Sequence, residues 1–273
     1  MTAATPTFLQ GMIARRLATI SAEFGSLNAA DRERLACCSR APRDFAAALR
    51  DRADVAVIGE VKKASPSAGP IAPDRDASKQ ALHYQAGGAA AISVLTEPSS
   101  FGGSFTDLSD VSDAVDIPVL CKDFIVDPVQ MFVARGHGAD AVLLMVSVLS
   151  EGVVEYLDLA RTLGMQALVE AHDARELAIA LRSGARIVGV NARDLSTLEV
   201  DPAGAWTLAG HVKEAGRIAV AESGVRTRAD VISAAAAGAD AVLVGEALMR
   251  APFPEDVLED LVGVPKCALP TVR

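Results

Sequence analysis

One short phrase, glycine-alanine followed by an apolar run, recurs four times and constrains the fold more than any other feature. It reads Gly88-Ala89-Ala90-Ala91-Ile92-Ser93-Val94, Gly138-Ala139-Asp140-Ala141-Val142-Leu143-Leu144, Gly184-Ala185-Arg186-Ile187-Val188-Gly189-Val190 and Gly238-Ala239-Asp240-Ala241-Val242-Leu243-Val244. Each glycine suits a left-handed helix C-cap, and each run after it suits a short strand. Successive copies lie 50, 46 and 54 residues apart. That is too far for one strand-helix unit and fits two.

The missing strands lie between the copies: Val55 to Glu60, Ile117 to Lys122, Gln166 to Glu170 and Arg217 to Glu222. The full set is eight short, almost continuously apolar runs, as expected of parallel strands buried on both faces. Helical stretches separate them. In Asp173 to Ser183, Leu177, Ala178 and Leu181 share a stripe and Asp173 is placed as the N-cap. Eight such units in about 210 residues predict an α/β fold of (β/α)8, or TIM-barrel, type. A doubly wound open sheet is the alternative; against it, no glycine-rich dinucleotide fingerprint follows the first strand. Phe8, Met12, Ile13, Leu17, Ile20 and Phe24 recur at helical spacing and predict an extra N-terminal helix on the barrel. The expected organisation is one domain over 1–273, with a helical extension to about residue 50 and the barrel over about 55–265.

Composition narrows the partners. Apolar residues make up 51% and charged residues 22%, so a sizeable core is affordable, and with 4% aromatics it must be aliphatic. The net charge of −9, with no basic block, argues against nucleic acid and anionic membranes, while a local Lys/Arg cluster still permits an anionic substrate. Cys37, Cys38, Cys121 and Cys267 have no zinc-like spacing and fit a reducing compartment. Arg15 and Arg16 interrupt any signal-peptide core, and the longest apolar run, 141–149, is too short to span a bilayer. The expected location is cytoplasmic.

In this fold the active site collects where strands end. The first strand ends in Glu60 and Lys62, the third in Lys122, the fifth in Glu170, the sixth in Asn191 and Arg193, the seventh in Glu222 and Ser223, and the eighth in Gly245 and Glu246. Strand alternation puts Glu60 with Lys62, and Asn191 with Arg193, on one face. A structural ring of salt bridges would give the same residues, but lysines and glutamates converging on one mouth are costly without mutual pairing or a substrate. Ser223-Gly224 and Gly245-Glu246 follow strands seven and eight, where this fold binds phosphate through backbone N–H groups. The loop from Lys62 to Pro70, rich in turn formers, is expected to be either a movable lid or an inert surface loop.

These same residues resemble the indole-3-glycerol-phosphate synthase family. The likeness lies in Glu60-Val61-Lys62-Lys63-Ala64-Ser65-Pro66-Ser67, Val94-Leu95-Thr96-Glu97 with Phe101-Gly102-Gly103-Ser104, Val119-Leu120-Cys121-Lys122-Asp123-Phe124, Leu168-Val169-Glu170, Val190-Asn191-Ala192-Arg193-Asp194-Leu195 and Ala221-Glu222-Ser223-Gly224-Val225. The resemblance implies ring closure, decarboxylation and dehydration of 1-(2-carboxyphenylamino)-1-deoxyribulose 5-phosphate, a carboxy-lyase reaction of tryptophan biosynthesis, with no metal or other cofactor. It implies Lys122 as general acid on the ketone oxygen, and Lys62 at the substrate carboxylate and in the dehydration. Glu60 and Glu170 become acid-base carboxylates, with Asn191 and Glu222 holding lysines and substrate hydroxyls. Arg193 and Phe124 become substrate contacts, Arg193 near the anthranilate end; Ser65, Ser223, Gly224, Gly245 and the Glu246 backbone hold phosphate. The family contains monomers and homodimers.

A lysine general acid is expected to have its pKa lowered by burial or by a second lysine. Three residues depart from the family pattern: Glu246 for a frequent Ser, Ala68 for Lys and Val129 for Tyr. Glu246 must turn away and leave only its N–H, and Val129 should change packing. The competing readings are another phosphate-binding barrel enzyme, either an isomerase or a Schiff-base aldolase using Lys122, and a catalytically silent paralogue. Cys121, beside Lys122 in the strand, should face away from the mouth.

Overall fold

A computed structural model describes residues 7–37, 40–195 and 197–267; Cys38 lies outside them. Eight strands occupy the expected places: β1 (Ala56–Val61), β2 (Ala91–Leu95), β3 (Val119–Lys122), β4 (Ala141–Met145), β5 (Gln166–Ala171), β6 (Ile187–Asn191), β7 (Ile218–Glu222) and β8 (Ala241–Val244). All pair in parallel in chain order, and β8 closes on β1. β3 begins at Val119 rather than Ile117. Pro118 has no N–H to give a ladder, and its carbonyl accepts the N–H of Ile92 at 2.9 Å.

Alternation along the strands builds two concentric cores. Ala56, Ile58, Leu120, Leu143, Leu168, Ile187 and Val220 fill the barrel, while Val57, Ile92, Val142, Val169, Val188 and Val242 face the helices. Burial of each branched aliphatic side chain contributes about 1.5–3 kcal/mol, so both layers stabilise the closed sheet.

The recurring phrase has two structural jobs. Its glycines Gly88, Gly138, Gly184 and Gly238 take φ of 93°, 83°, 78° and 102°, which turns each helix into the next strand. The aspartate in two copies is an anchor that periodicity does not reveal. Asp140, fully buried, accepts the N–H of Val119 at 2.8 Å and of Arg43 at 2.7 Å, and Asp240 accepts that of Ala219 at 3.1 Å. Each ties the start of one strand to its neighbour.

Helices α1 (Phe8–Phe24), α2 (Ala29–Cys37) and α3 (Phe45–Arg50) precede the barrel. α1 opens with a capping box between Thr7 and Gln10 and buries Met12, Arg16 and Ile20. α3 lies at the N-terminal end of the barrel: the N–H of Ala46 bonds the side chain of Gln166 at the start of β5, and Phe45 and Leu49 are fully buried. Asp173 caps the helix Ala174–Arg182 through the N–H of Glu176, as its place in the sequence predicts. Val129, buried, packs in a cluster with Ile20 and Val133, under α1.

Candidate active site

The strand ends bring Glu60, Lys62, Lys122, Glu170, Asn191, Arg193 and Glu222 to the lining of one cavity of about 420 Å³. Lys122 holds its centre. Its Nζ donates to Glu222 Oε2 at 2.7 Å and to Glu170 Oε2 at 3.4 Å. Lys62 Nζ pairs with Glu60 Oε1 at 2.7 Å, the two residues sharing a face as alternation requires. Three buried carboxylates thus face two lysines.

The charge balance decides the protonation states. Burial of Lys122 would lower its pKa, but Glu222, Glu170 and Glu60 together outweigh burial and raise it. The expectation of a lowered lysine pKa is therefore corrected: its neighbours hold this lysine protonated. Burial likewise works to raise Glu60, yet Lys62 and Lys122 pull it below the usual carboxylate range. Glu222 is pushed up to about 8, first by burial and then by the charge of Glu170, with Lys122 opposing. Two carboxylates compete for one ammonium, and burial together with their mutual repulsion makes ionisation of Glu222 unfavourable.

Around this centre the wall divides. On the side of β2 to β4 it is apolar, formed by Leu95, Phe101, Phe124, Leu143 and Met145 with Phe8 from α1. The Phe101 and Phe124 rings meet at 6.1 Å and 48°. Phe101 ends a short helix, Pro98–Phe101, whose N-cap Glu97 accepts the N–H groups of Ser99, Ser100 and Phe101. The family-like Thr96-Glu97 pair thus works structurally, since Thr96 Oγ1 donates to Asp123 at 2.7 Å. Phe8 reads in the sequence as a packing residue of the N-terminal stripe, and Phe101 only as part of a family-like loop; nothing in helical spacing tells a core stripe from a cavity wall.

On the side of β7 and β8 lie Ser223, Gly224, Gly245 and Glu246, with Ser65 from the first loop. Ser223 and Gly224 take successive positive φ values of 64° and 86°, forming a sharp corner after β7. The Ser223 hydroxyl donates to Asn191 Oδ1 at 2.8 Å, which also accepts the Arg193 N–H at 3.0 Å. Asn191 therefore holds the corner and its own loop, where a lysine was expected; Glu222 is the residue that holds Lys122. Arg193 Nη1 bonds the carbonyl of Leu198 at 3.0 Å, bracing that loop. Glu246 lines this side of the cavity with its carboxylate paired to Arg250, whose Nε lies 2.9 Å away. Arg226 and Arg250, unmarked in the sequence, also line the rim.

The first loop forms a small antiparallel hairpin, Ala64–Ser65 against Gly69–Pro70, with Ser65 Oγ accepting the Ala68 N–H at 3.1 Å. Lys63 pins it through both Asp107 oxygens at 2.7 and 2.9 Å. Cys121 faces the outer core, fully buried, and burial pushes its thiol up to about 12. Among the described residues no group of three or more His, Cys, Asp or Glu side chains is disposed to hold a metal ion, and no helix is long and apolar enough to cross a membrane.

The chain is similar to known proteins in fold and in sequence. A structure of 3-hexulose-6-phosphate synthase superposes with a TM-score of 0.62 at 18% identity, over 76% of this chain and 98% of that one, which shows the fold. An indole-3-glycerol phosphate synthase of Beutenbergia cavernae is 52% identical over 79% of this chain and 80% of its own length. Another, of Mycobacterium avium, is 45% identical over 97% of this chain and 98% of its own. The family model for indole-3-glycerol phosphate synthase matches residues 9–261, nearly the whole described barrel with its N-terminal helices, and the chain belongs to that family.

Proposed function

We propose that the chain closes the indole ring of 1-(2-carboxyphenylamino)-1-deoxyribulose 5-phosphate, releasing carbon dioxide and water to give indole-3-glycerol phosphate. The observation that carries this is Lys122, a protonated lysine held between Glu222 and Glu170 in a cavity with an apolar aromatic wall on one side and a glycine-rich corner on the other. Attack of the aromatic ring carbon on the ketone develops negative charge on oxygen, and an ammonium held there supplies the proton. The carboxylate then leaves as carbon dioxide, its electron pair restoring the ring. Loss of the hydroxyl as water needs a second acid and a base, roles that fit Lys62 and Glu60, with Glu170 serving the first proton transfer. Phe8, Phe101 and Phe124 suit the flat anthranilate ring. The phosphate would lie against the backbone of Ser223-Gly224 and Gly245-Glu246, with Ser65 opposite. A Schiff-base aldolase is disfavoured, because it needs a neutral amine and Lys122 is held charged. Turnover of the substrate, followed by indole fluorescence, tests the reading; none by folded protein would overturn it.

Two further tests address the site. Burial and the charge of Glu170 push Glu222 up to about 8, so it gains charge as pH rises through that range. Ionisation adds negative charge to a cavity that must admit a carboxylate and a phosphate. We therefore expect kcat/KM to fall as pH rises through that range, and Glu222→Gln to flatten this limb; a limb unchanged in the variant would assign it elsewhere. At the corner, Gly224 has φ of +86°, and a Cβ there would lie 2.6 Å from Pro202 Cγ. Gly224→Asp adds negative charge and strain, so KM should rise by about tenfold or more. Unchanged KM would remove this corner from phosphate binding.

A further inference from the structure

Two of the three buried carboxylates lie where a neighbouring strand has no side chain. Gly189 faces the barrel interior on β6, in register with Glu170 on one side and Val220 on the other. A Cβ there would lie 2.0 Å from Glu222 Oε1 and 3.1 Å from its Cδ, with Leu168 Cδ1 at 3.3 Å. Gly245, just past β8, repeats the relation: its Cβ would lie 2.3 Å from Glu60 Oε1 and 3.1 Å from Cδ. The Gly189 backbone does not require glycine, since it is not among the positive-φ residues.

Space is what these glycines provide. The inward neighbours Ile187, Val220 and Leu243 are all bulky and buried. A glycine in a strand interior gives up such packing and weakens the strand. Glu222 gains by it: Oε2 reaches Lys122 at 2.7 Å, while Oε1, buried and without a hydrogen-bond partner, rests over the Gly189 position.

We propose that Gly189 is a positioning residue for the reaction: its missing side chain is the socket that seats the Glu222 carboxylate and so fixes the place of Lys122 Nζ. Gly245 does the same for Glu60 and Lys62. This rests on the reading of Lys122 and Glu222 as working groups.

Gly189→Ala is the test, because its methyl would strike the far end of a flexible side chain and move the carboxylate before the strand. We expect kcat to fall about tenfold or more with KM changed less than about threefold, the pattern of a misplaced group in a site that still binds. In a Glu222→Ala background the methyl meets no carboxylate. There Gly189→Ala should leave kcat unchanged and should not lower Tm, a non-additivity expected only of residues in contact. A kcat within about twofold of the parent overturns the proposal. So does a loss that persists in full without Glu222, since the methyl would then act through the strand. If Gly189→Ala alone does not fold, recovery of Tm in the double variant supports the socket, and no recovery overturns it. Absence of turnover by the parent protein would strike the proposed reaction instead, and the Tm coupling between residues 189 and 222 would still report on the socket.

Discussion

Replacing Lys122 with alanine is expected to cut turnover at least about 100-fold, the scale of one general acid, while the barrel stays folded. The loss follows from geometry: Lys122 is the ammonium that Glu222 and Glu170 hold in the middle of the cavity, and Lys62 is engaged with Glu60. The fold survives because Glu222 already has its pKa pushed up to about 8. With the cation gone it stays neutral near pH 7, and the cavity gains no stranded pair of charges. Lys122→Met, closer in volume, should behave alike. Lys122→Arg separates charge from proton donation, since a guanidinium does not release its proton in proteins; kcat should remain low even if the anionic substrate still binds. Steady-state indole fluorescence beside circular dichroism decides the matter. A folded Ala or Met variant turning over within tenfold of the parent would remove Lys122 from the mechanism.

The fold was legible because parallel strands buried on both faces are apolar without interruption, and four of the eight follow the same glycine. The site was legible because charges at strand ends are rare enough to stand out against such runs. The residues that escaped notice lacked a local signal. Asp140 and Asp240 look like ordinary helix-strand turn residues until their carboxylates are seen to hold the next strand. Phe8 follows the same stripe as Met12, yet one lines the cavity and the other is fully buried. The direction of the Lys122 shift is hidden from the sequence for a related reason. Sequence order shows that it is a lysine inside a barrel, but the three carboxylates that outweigh burial come from β1, β5 and β7 and meet it only after closure. Long-range electrostatics has no sequence period.

Arg16 is the sharpest such omission, and Arg16→Ala is expected to destabilise the protein by about 3–5 kcal/mol, the usual result of removing one partner of a buried ion pair. Arg16 on α1 is 2% exposed and binds both carboxylate oxygens of Asp123, with Nε at 2.9 Å from Oδ1. Its guanidinium also lies over the Phe105 ring, 5.7 Å from the centroid. In the sequence it only breaks an apolar stretch; in the fold it joins the N-terminal helix to the residue after Lys122. Without it Asp123 is left buried with Thr96 as its remaining bonded side chain. For a chain of this size Tm should fall by roughly 10 °C. Burial already raises Asp123 against the pull of Arg16, and removing Arg16 raises it further. A carboxyl with a raised folded-state pKa stabilises most when protonated, so the Tm deficit should shrink as pH falls through the carboxylate range. Arg16→Ala with Asp123→Ala should recover part of the loss, because no charge is then stranded. If instead the single variant melts within about 2 °C of the parent, α1 is held by its apolar face, Met12 and Ile20, and the ion pair is dispensable.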